Sequence, residues 1–499
     1  MFQRTFHPDE ANQAFTVGRL LETGQYTYRP DDHHGPTLYY AAAPLQKLFG
    51  HNSTQTLDGT LLRCTPLVFA VLALVFGFLS LKKIFGGAGK SSWHALFPAC
   101  AFVLLLASAP IFVFFATDFI QEMFLAAFLL GMLFTAVSYL KSLNGKEDGN
   151  RLLKPGSWML LFGISAGLAF ATKETSVLSF AAAALALLPF GRALPSQVRT
   201  KDLPFVFFGF GLTIVLLFSS FGQDFDGVYN AFIRAPLAYF GRANGDSAAS
   251  TGAAWHVHPW WMYAKWLFLS GKSWSLASLL MLTAVGVLSA LKMGRFQPLF
   301  SFALCYTLAL FAIYSLIPYK TPWCGLQIAV GLALAAAGAC QALGEDFARR
   351  TKLKGFSFVI FLWVLGLAIL QALCSAKMLR NPDSREIPYN YASAHPEVRE
   401  LAACVHTALS ATNAPSAFAA VALPACDTWP FPWYNRAHEH QTGYWTDFKA
   451  LKQIAASGAK PAVVIVPMTE GHLVQPLFPH LKHTKRYFIR PGVRARVFW

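Results

Sequence analysis

About ten apolar stretches, separated by short loops, run through residues 61–81, 95–115, 119–140, 158–171, 175–190, 203–221, 275–291, 298–317, 324–343 and 356–376. Most approach the roughly 20 residues that a helix needs to cross a bilayer, and the fourth and fifth fall short of it. With 55% hydrophobic and only 13% charged residues over 499 positions, the chain has too little polar surface for one soluble core of this size. A polytopic α-helical membrane protein is therefore expected.

Lysines and arginines test the threading, because short cytoplasmic loops collect them. One alternate set of loops carries Lys82, Lys83 and Lys90; Lys141, Lys146, Arg151 and Lys154; Arg192, Arg199 and Lys201; Lys292 and Arg295; and Arg349, Arg350, Lys352 and Lys354. The short loops between them hold only Lys173 and Lys320. The basic set is read as cytoplasmic, which puts the N-terminal segment, residues 222–274 and everything after Lys377 on the outer face of the plasma (inner) membrane. The net charge of +16 then reflects topology and anionic headgroups, and no nucleic-acid partner is needed to explain it. The chain opens on polar residues rather than on a basic patch and an apolar run, so no cleavable signal peptide is read. An outer N-terminus calls either for unaided translocation of the start or for a further spanning helix ahead of Met1, and the further helix is the expectation.

Three regions follow. Residues 1–60 form a polar, aromatic outer segment whose Leu38, Tyr39, Tyr40, Leu45, Leu48 and Phe49 predict an interfacial helix lying flat on the membrane. Residues 61–376 form the transmembrane core, with a long outer loop at 222–274 that ends in Trp255, Trp260, Trp261, Tyr263 and Trp266. Residues 377–499 change in composition: strand-length apolar runs at 417–423, 462–466, 485–490 and 493–499, with helical spacing at 396–410 and 448–456, predict a small α/β domain. Eight cysteines show no CxxC or zinc-like spacing; only Cys404 and Cys426 fall in this domain, where a disulfide is chemically allowed.

The residues that could carry chemistry crowd the proposed outer loops. His7-Pro8-Asp9-Glu10 and Asp31-Asp32-His33-His34 place carboxylates and imidazoles beside the membrane, where one acid can take a proton from an attacking hydroxyl while another tunes it or helps hold a cation; a solvated loop is the alternative. Asp118 suits a helix N-terminus, whereas Glu122 lies deep enough to require a partner. Lys173-Glu174 reads either as a paired turn or as a contact to a lipid phosphate. Lys320, a lone cation framed by Pro318 and Pro322, is placed to stabilise charge on a departing phosphate or to snorkel to headgroups. His256 and His258 are an HxH pair without a third ligand, so a divalent metal cofactor is left open and its ligands unknown. Gly86 to Ser91 lacks the spacing and the preceding strand of a phosphate loop. Trp433, in Trp429-Pro430-Phe431-Pro432-Trp433-Tyr434, could stack on a sugar or pack a corner.

Taken in order, HPDE at His7–Glu10, HHGP at His33–Pro36, the segment ending in Gln121-Glu122, ATKE at Ala171–Glu174, PYKTPW at Pro318–Trp323 and WPFPWY at Trp429–Tyr434 resemble the GT-C membrane glycosyltransferases. That superfamily includes protein O-mannosyltransferases and the lipid A aminoarabinose transferase, and the resemblance looks closest to the prokaryotic flippase-activity-associated branch. It implies a polyprenyl-phosphate sugar donor, Asp9 as catalytic base with Glu10 beside it, and Glu122 as the second-loop acid. Glu122, Lys173, Glu174, Lys320, His33, His34 and Trp433 become candidate substrate contacts. Two departures stand out: the helix expected before the acid pair is absent, and the arginine often found ahead of the second-loop acid is replaced near Thr117.

The expected activity is transfer of a hexosyl or pentosyl group from that lipid-linked donor to a hydroxyl of a glycan, lipid or protein acceptor, with inversion by direct displacement. The alternative is a non-catalytic lipid-linked-sugar flippase or its accessory protein. Translocation calls for polar groups spread across the bilayer, and a solute transporter calls for inverted repeats and broken mid-membrane helices. Neither pattern is seen.

Overall fold

The computed structural model describes residues 4–32, 34–86, 92–143, 153–191, 197–244, 256–269, 275–293, 297–351, 356–381, 383–384, 386–390, 393–412 and 417–499. Among the described residues six helices are long and apolar enough to cross a membrane, and four shorter apolar helices, at Ala95–Ser108, Pro155–Phe170, Ser176–Phe190 and Leu279–Lys292, stand at the other expected places. The second expected span is broken where Pro110 starts a separate short helix, Pro110–Phe115, because proline cannot donate to the turn before it.

Pro322–Phe347 is the central span, with 94% of its apolar window inside the protein, against 28% for Thr200–Phe218 and Ser357–Arg380. Its Ala335, Ala336, Ala337 and Ala339 are fully buried, as small side chains let neighbouring backbones come close. Gly163 does the same for Pro155–Phe170, where a Cβ would overlap the Val206 carbonyl of Leu203–Phe218.

Ahead of the core the chain forms two helices, α1 (Pro8–Thr23) and α2 (Thr37–Leu48), then enters the first span, α3 (Gly59–Phe85). The composition of residues 1–30 does not announce α1, yet its start is specified locally. Pro8 occupies the first turn, the His7 ring accepts from the Asp9 N–H, and Glu10 reaches back to the His7 N–H in a capping box. Gly24, at φ +70°, closes it. The helix expected to lie flat on the membrane is present as α2, but Leu38, Tyr39, Ala42 and Gln46 are buried in protein, while Pro44, Lys47, Leu48 and the C-cap Phe49 are exposed.

The C-terminal domain is a five-stranded sheet in the order β2-β1-β3-β5-β4: β1 (Ala419–Ala422), β2 (Thr442–Trp445), β3 (Val463–Pro467), β4 (Thr484–Arg490) and β5 (Val493–Phe498). β2, β1 and β3 run parallel, while β5 and β4 are antiparallel additions. Alternation along β3 supplies two cores. Val463 and Ile465 pack under the helix Glu397–Ala411, and Val464 and Val466 pack with Leu451 of Lys449–Ala456. The sequence reading misses β2, whose residues lack a buried alternation. Cys404 and Cys426 are both free.

This domain is docked onto the segment leading into α1. The Phe6 N–H donates to the Tyr434 hydroxyl at 2.8 Å, Trp433 stacks on Phe6 with 4.7 Å between ring centres, and the Thr5 N–H donates to Asp383 at 3.0 Å. Arg436 reaches back to the Leu57 carbonyl at 2.9 Å.

Candidate active site

Asp9 and Glu10 are consecutive in the first turn of α1, so the 100° step of a helix turns their carboxylates to different surroundings. Glu10 points inward and is fully buried. Arg63 of α3 donates to it through Nε at 2.8 Å and Nη2 at 2.7 Å, the Phe119 N–H at 2.9 Å and the His7 N–H at 2.9 Å. Arg4 lies 3.6 Å from Glu10 and bonds Asp118 at 2.5 Å, while Arg63 Nη1 also holds the Arg4 carbonyl at 2.8 Å. Two carboxylates and two guanidiniums thus form one buried network. Burial pushes the Glu10 carboxyl up, but Arg63 and Arg4 outweigh it and hold it well below the ordinary range. For Asp118, burial dominates and the Glu10 charge adds to it, so that the carboxyl is raised to about 8 despite Arg4. Glu10 is therefore an anchor rather than a second reacting acid, with every lone-pair direction directed at protein donors.

Asp9 is the opposite case, with 47% of its side chain exposed. Its Oδ2 lies 3.7 Å from His7 Nδ1, and its N–H donates to that nitrogen at 3.1 Å. The His7 ring meets Trp323 edge-on at 5.7 Å, which brings PYKTPW against HPDE. Residues 256–258 pair with this segment: the Lys320 N–H donates to the His256 carbonyl at 2.8 Å, the His258 N–H to the Pro318 carbonyl at 3.1 Å, and Val257 bridges Tyr319. Burial lowers the pKa of His7, and it lowers that of His256 to about 4, with Asp9 opposing the shift in both. Both imidazoles are neutral at physiological pH.

Lys320 is 1% exposed and its ammonium donates to the Ile317 carbonyl. Burial lowers its pKa. The expected metal pair does not gain a third ligand. His256 packs on Tyr319 at 4.8 Å, His258 stands edge-on to Trp266 at 5.2 Å, and among the described residues no three His, Cys, Asp or Glu side chains converge on one point. Among the described residues, this pair does not make up a metal site.

Glu122 has a buried partner. Glu122 accepts from the Lys173 ammonium, and both are buried, so Lys173 is neither half of a Lys173–Glu174 turn pair nor a free contact for lipid phosphate. Gln327 Nε2 donates to the Glu122 carbonyl at 3.0 Å. Glu174 turns the other way, to His34 Nδ1 at 2.7 Å and the Tyr28 hydroxyl at 2.7 Å. Burial raises the Glu174 pKa, but His34 and Tyr28 bring it down to about 2. The Thr37 N–H donates to the Ala171 carbonyl at 3.3 Å, and the Thr37 and Thr172 hydroxyls meet at 2.8 Å. A Cβ at Gly35 would overlap that same carbonyl, so HHGP needs its glycine to dock on ATKE.

Trp433 has neither ring face free for a sugar: Phe6 stacks on it and the Arg436 guanidinium sits 4.0 Å from its centre. It is the packing corner. His33, Trp255 and residues 87–91 lie outside the described residues. Sequence reasoning missed Arg4 and Arg63. Arg63 was discoverable, being a charge four residues inside an apolar helix that starts at Gly59.

Neither a family model nor a curated protein matches the chain. Solved structures do. ArnT from Cupriavidus metallidurans bound to undecaprenyl phosphate superposes over 99% of this chain and 94% of its own, with a TM-score of 0.63 and 13% identity. The archaeal oligosaccharyltransferase AglB from Archaeoglobus fulgidus, in complex with an inhibitory peptide and a dolichol-phosphate, covers 94% of this chain and 66% of its own, with a TM-score of 0.56 and 14% identity. The Archaeoglobus fulgidus oligosaccharyltransferase with Zn and sulfate gives a TM-score of 0.51 at 12% identity over 94% of this chain and 65% of its own. Spans, their packing and the small C-terminal sheet domain together give this chain the fold seen in ArnT and in the AglB oligosaccharyltransferase.

Proposed function

We propose that this protein is an integral membrane glycosyltransferase that moves a sugar from a polyprenyl-phosphate donor to an acceptor hydroxyl at the outer membrane face. The observation that carries the reading is the environment of Asp9. Among the acids of the motifs quoted above it alone is half-exposed, whereas Glu10, Asp118 and Glu122 are 7% exposed or less at their side chains and Glu174 is 17% exposed. The fold supports it, since one solved likeness holds undecaprenyl phosphate and another a dolichol-phosphate.

In this reaction Asp9 takes the proton of the acceptor hydroxyl as its oxygen bonds to the anomeric carbon. The bond from that carbon to the phosphate oxygen breaks, its electron pair leaves with the phosphate, and the anomeric centre inverts. Lys320 is the cation assigned to the departing charge: one of its three N–H groups is used on the Ile317 carbonyl, which leaves donors for an anionic oxygen. Glu122 and Lys173, neutralised by each other, position the turn rather than contact the donor.

Asp9→Asn keeps the shape of the side chain and removes the base. With a labelled polyprenyl-phosphate sugar in proteoliposomes, transfer is expected to fall at least about 100-fold while donor binding persists. Undiminished transfer would overturn the assignment, and movement of donor between leaflets without transfer would favour the flippase.

A further inference from the structure

We infer that the cavity between the last turns of α1 and the segment returning from it, lined by Arg19 and Arg29, binds an oxyanion of the acceptor, a phosphate or a carboxylate. The inference rests on the glycosyltransferase reading and deepens it by assigning the acceptor a charge and a length.

The cavity is made where one helix stops. Gly24, at φ +70°, reverses the chain after α1, so that Tyr26, Thr27 and Arg29 face Thr16, Arg19 and Thr23 across a cavity of about 120 Å³. Both arginines are open to solvent, and no carboxylate is among the described residues that line the cavity. The volume has room for roughly four water molecules, which suits one phosphate or carboxylate group and is too small for a nucleotide. Two guanidiniums set among hydroxyls offer such a group charge-assisted hydrogen bonds.

Each wall is held in place. Arg19 Nη2 donates to the Thr16 hydroxyl at 3.1 Å, which in turn donates to the Asn12 carbonyl at 3.3 Å. Asn12 Nδ2 donates to Asp32 Oδ1 at 2.9 Å, and the Asp32 N–H donates to the Arg29 carbonyl at 3.1 Å, which ties the turn that carries Arg29 to α1. Tyr26 is fixed to the core, its N–H on Ser220 Oγ at 2.9 Å and its hydroxyl on the His34 carbonyl at 2.9 Å.

The same helix relates the cavity to the base. At 100° per residue, Asp9, Asn12, Thr16, Arg19 and Thr23 fall within an arc of about 80° on α1. At a rise of 1.5 Å per residue, the Thr16–Arg19 turn stands about 10–15 Å along the axis from Asp9. In the proposed transfer the donor phosphate is bonded to the carbon under attack, so it must lie beside Asp9. An anion one helix face away, at that separation, therefore belongs to the other substrate. The acceptor is an extended molecule with its reacting hydroxyl at Asp9 and its charge between Arg19 and Arg29.

The test uses the full chain in phosphatidylcholine nanodiscs, with inorganic phosphate as the probe and protection from phenylglyoxal, mapped by peptide mass spectrometry, as the readout. Arg19 and Arg29 are expected to be protected together at one half-saturating concentration, with the exposed Arg486 of β4 as the unprotected reference. Arg19→Gln is expected to weaken protection of Arg29 at least about tenfold, and Arg29→Gln that of Arg19, in line with loss of a charge-assisted hydrogen bond. Undecaprenyl phosphate is expected to bind both variants as it binds wild type and to leave both arginines reactive. Protection of Arg19 and Arg29 no better than that of Arg486 overturns the proposal. So does protection by undecaprenyl phosphate, which would make the cavity a donor site, or by phosphatidylglycerol placed in the nanodisc without added phosphate, which would make it a bilayer contact. Failure of the glycosyltransferase reading shows separately, as transfer that survives Asp9→Asn, a variant in which phosphate protection is expected to persist.

Discussion

Arg63 grips Glu10 with two hydrogen bonds, 2.8 Å from Nε and 2.7 Å from Nη2, across the junction between the first span and the helix that carries Asp9. A charge pair that is fully buried holds only as a pair. Arg63→Met strands a buried carboxylate and is expected to cost about 3–5 kcal/mol, measured as loss of thermal stability in detergent. The double variant Arg63→Met with Glu10→Leu should recover most of it, although the Phe119 and His7 amides would still lose their acceptor while Arg4 keeps Asp118.

Lys173 and Glu122 behave in the same way inside the core. Lys173→Met alone leaves Glu122 uncompensated and is expected to destabilise by about 3–5 kcal/mol. Combined with Glu122→Gln it should be far milder, because both charges are then gone. A double-mutant cycle on thermal unfolding measures the coupling; additive losses would show that the two side chains do not share a proton-balanced contact.

Acidification should act through the imidazoles beside Asp9. His256 falls from an ordinary 6.5 to about 4 on folding because burial disfavours its charge, so the unfolded chain binds more protons between those values. Stability from this group is complete above pH 6.5 and is lost as pH drops toward 4. His256→Gln is expected to be less acid-sensitive than wild type over that window. Asp118, raised to about 8, has the opposite sign: it favours the folded state at low pH and loses that contribution as pH rises through 8. Asp118→Asn should therefore gain relative stability on the alkaline side. Melting temperatures of the three proteins from pH 4 to 9 separate the two slopes.

Trp433→Ala removes the ring between Phe6 and Arg436 and is expected to cost about 3–5 kcal/mol and to loosen the sheet domain, seen as faster proteolysis after residue 380. Trp433→Phe should retain most of the stability. If Trp433→Ala instead raised the KM for a sugar donor with no change in melting temperature, the packing-corner assignment would fail.

The spans were legible because the bilayer imposes one length and one polarity, so helices stand at each of the ten expected places. The sheet domain was legible in β3, β4 and β5, where apolar residues run at strand length, but not in Thr442–Trp445, whose partly exposed residues carry no period-2 signal. Within the site, sequence proximity misled. Asp9 and Glu10 look like a carboxylate dyad until the helical step separates them, and Lys173-Glu174 looks like an ion pair until each side chain finds a partner 51 and 140 residues away. Partners supplied by tertiary packing leave no local trace; Arg63 came closest, as a charge where an apolar helix should have none.

The Phe6 amide hydrogen-bonded to Tyr434 has a mechanical meaning. Only His7 and Pro8 separate that bond from Asp9, and the intervening backbone is fixed by the capping box, so the C-terminal module and the start of α1 are short-coupled. A shift of the sheet domain at Tyr434 would be passed to the Asp9 carboxylate through two residues of backbone.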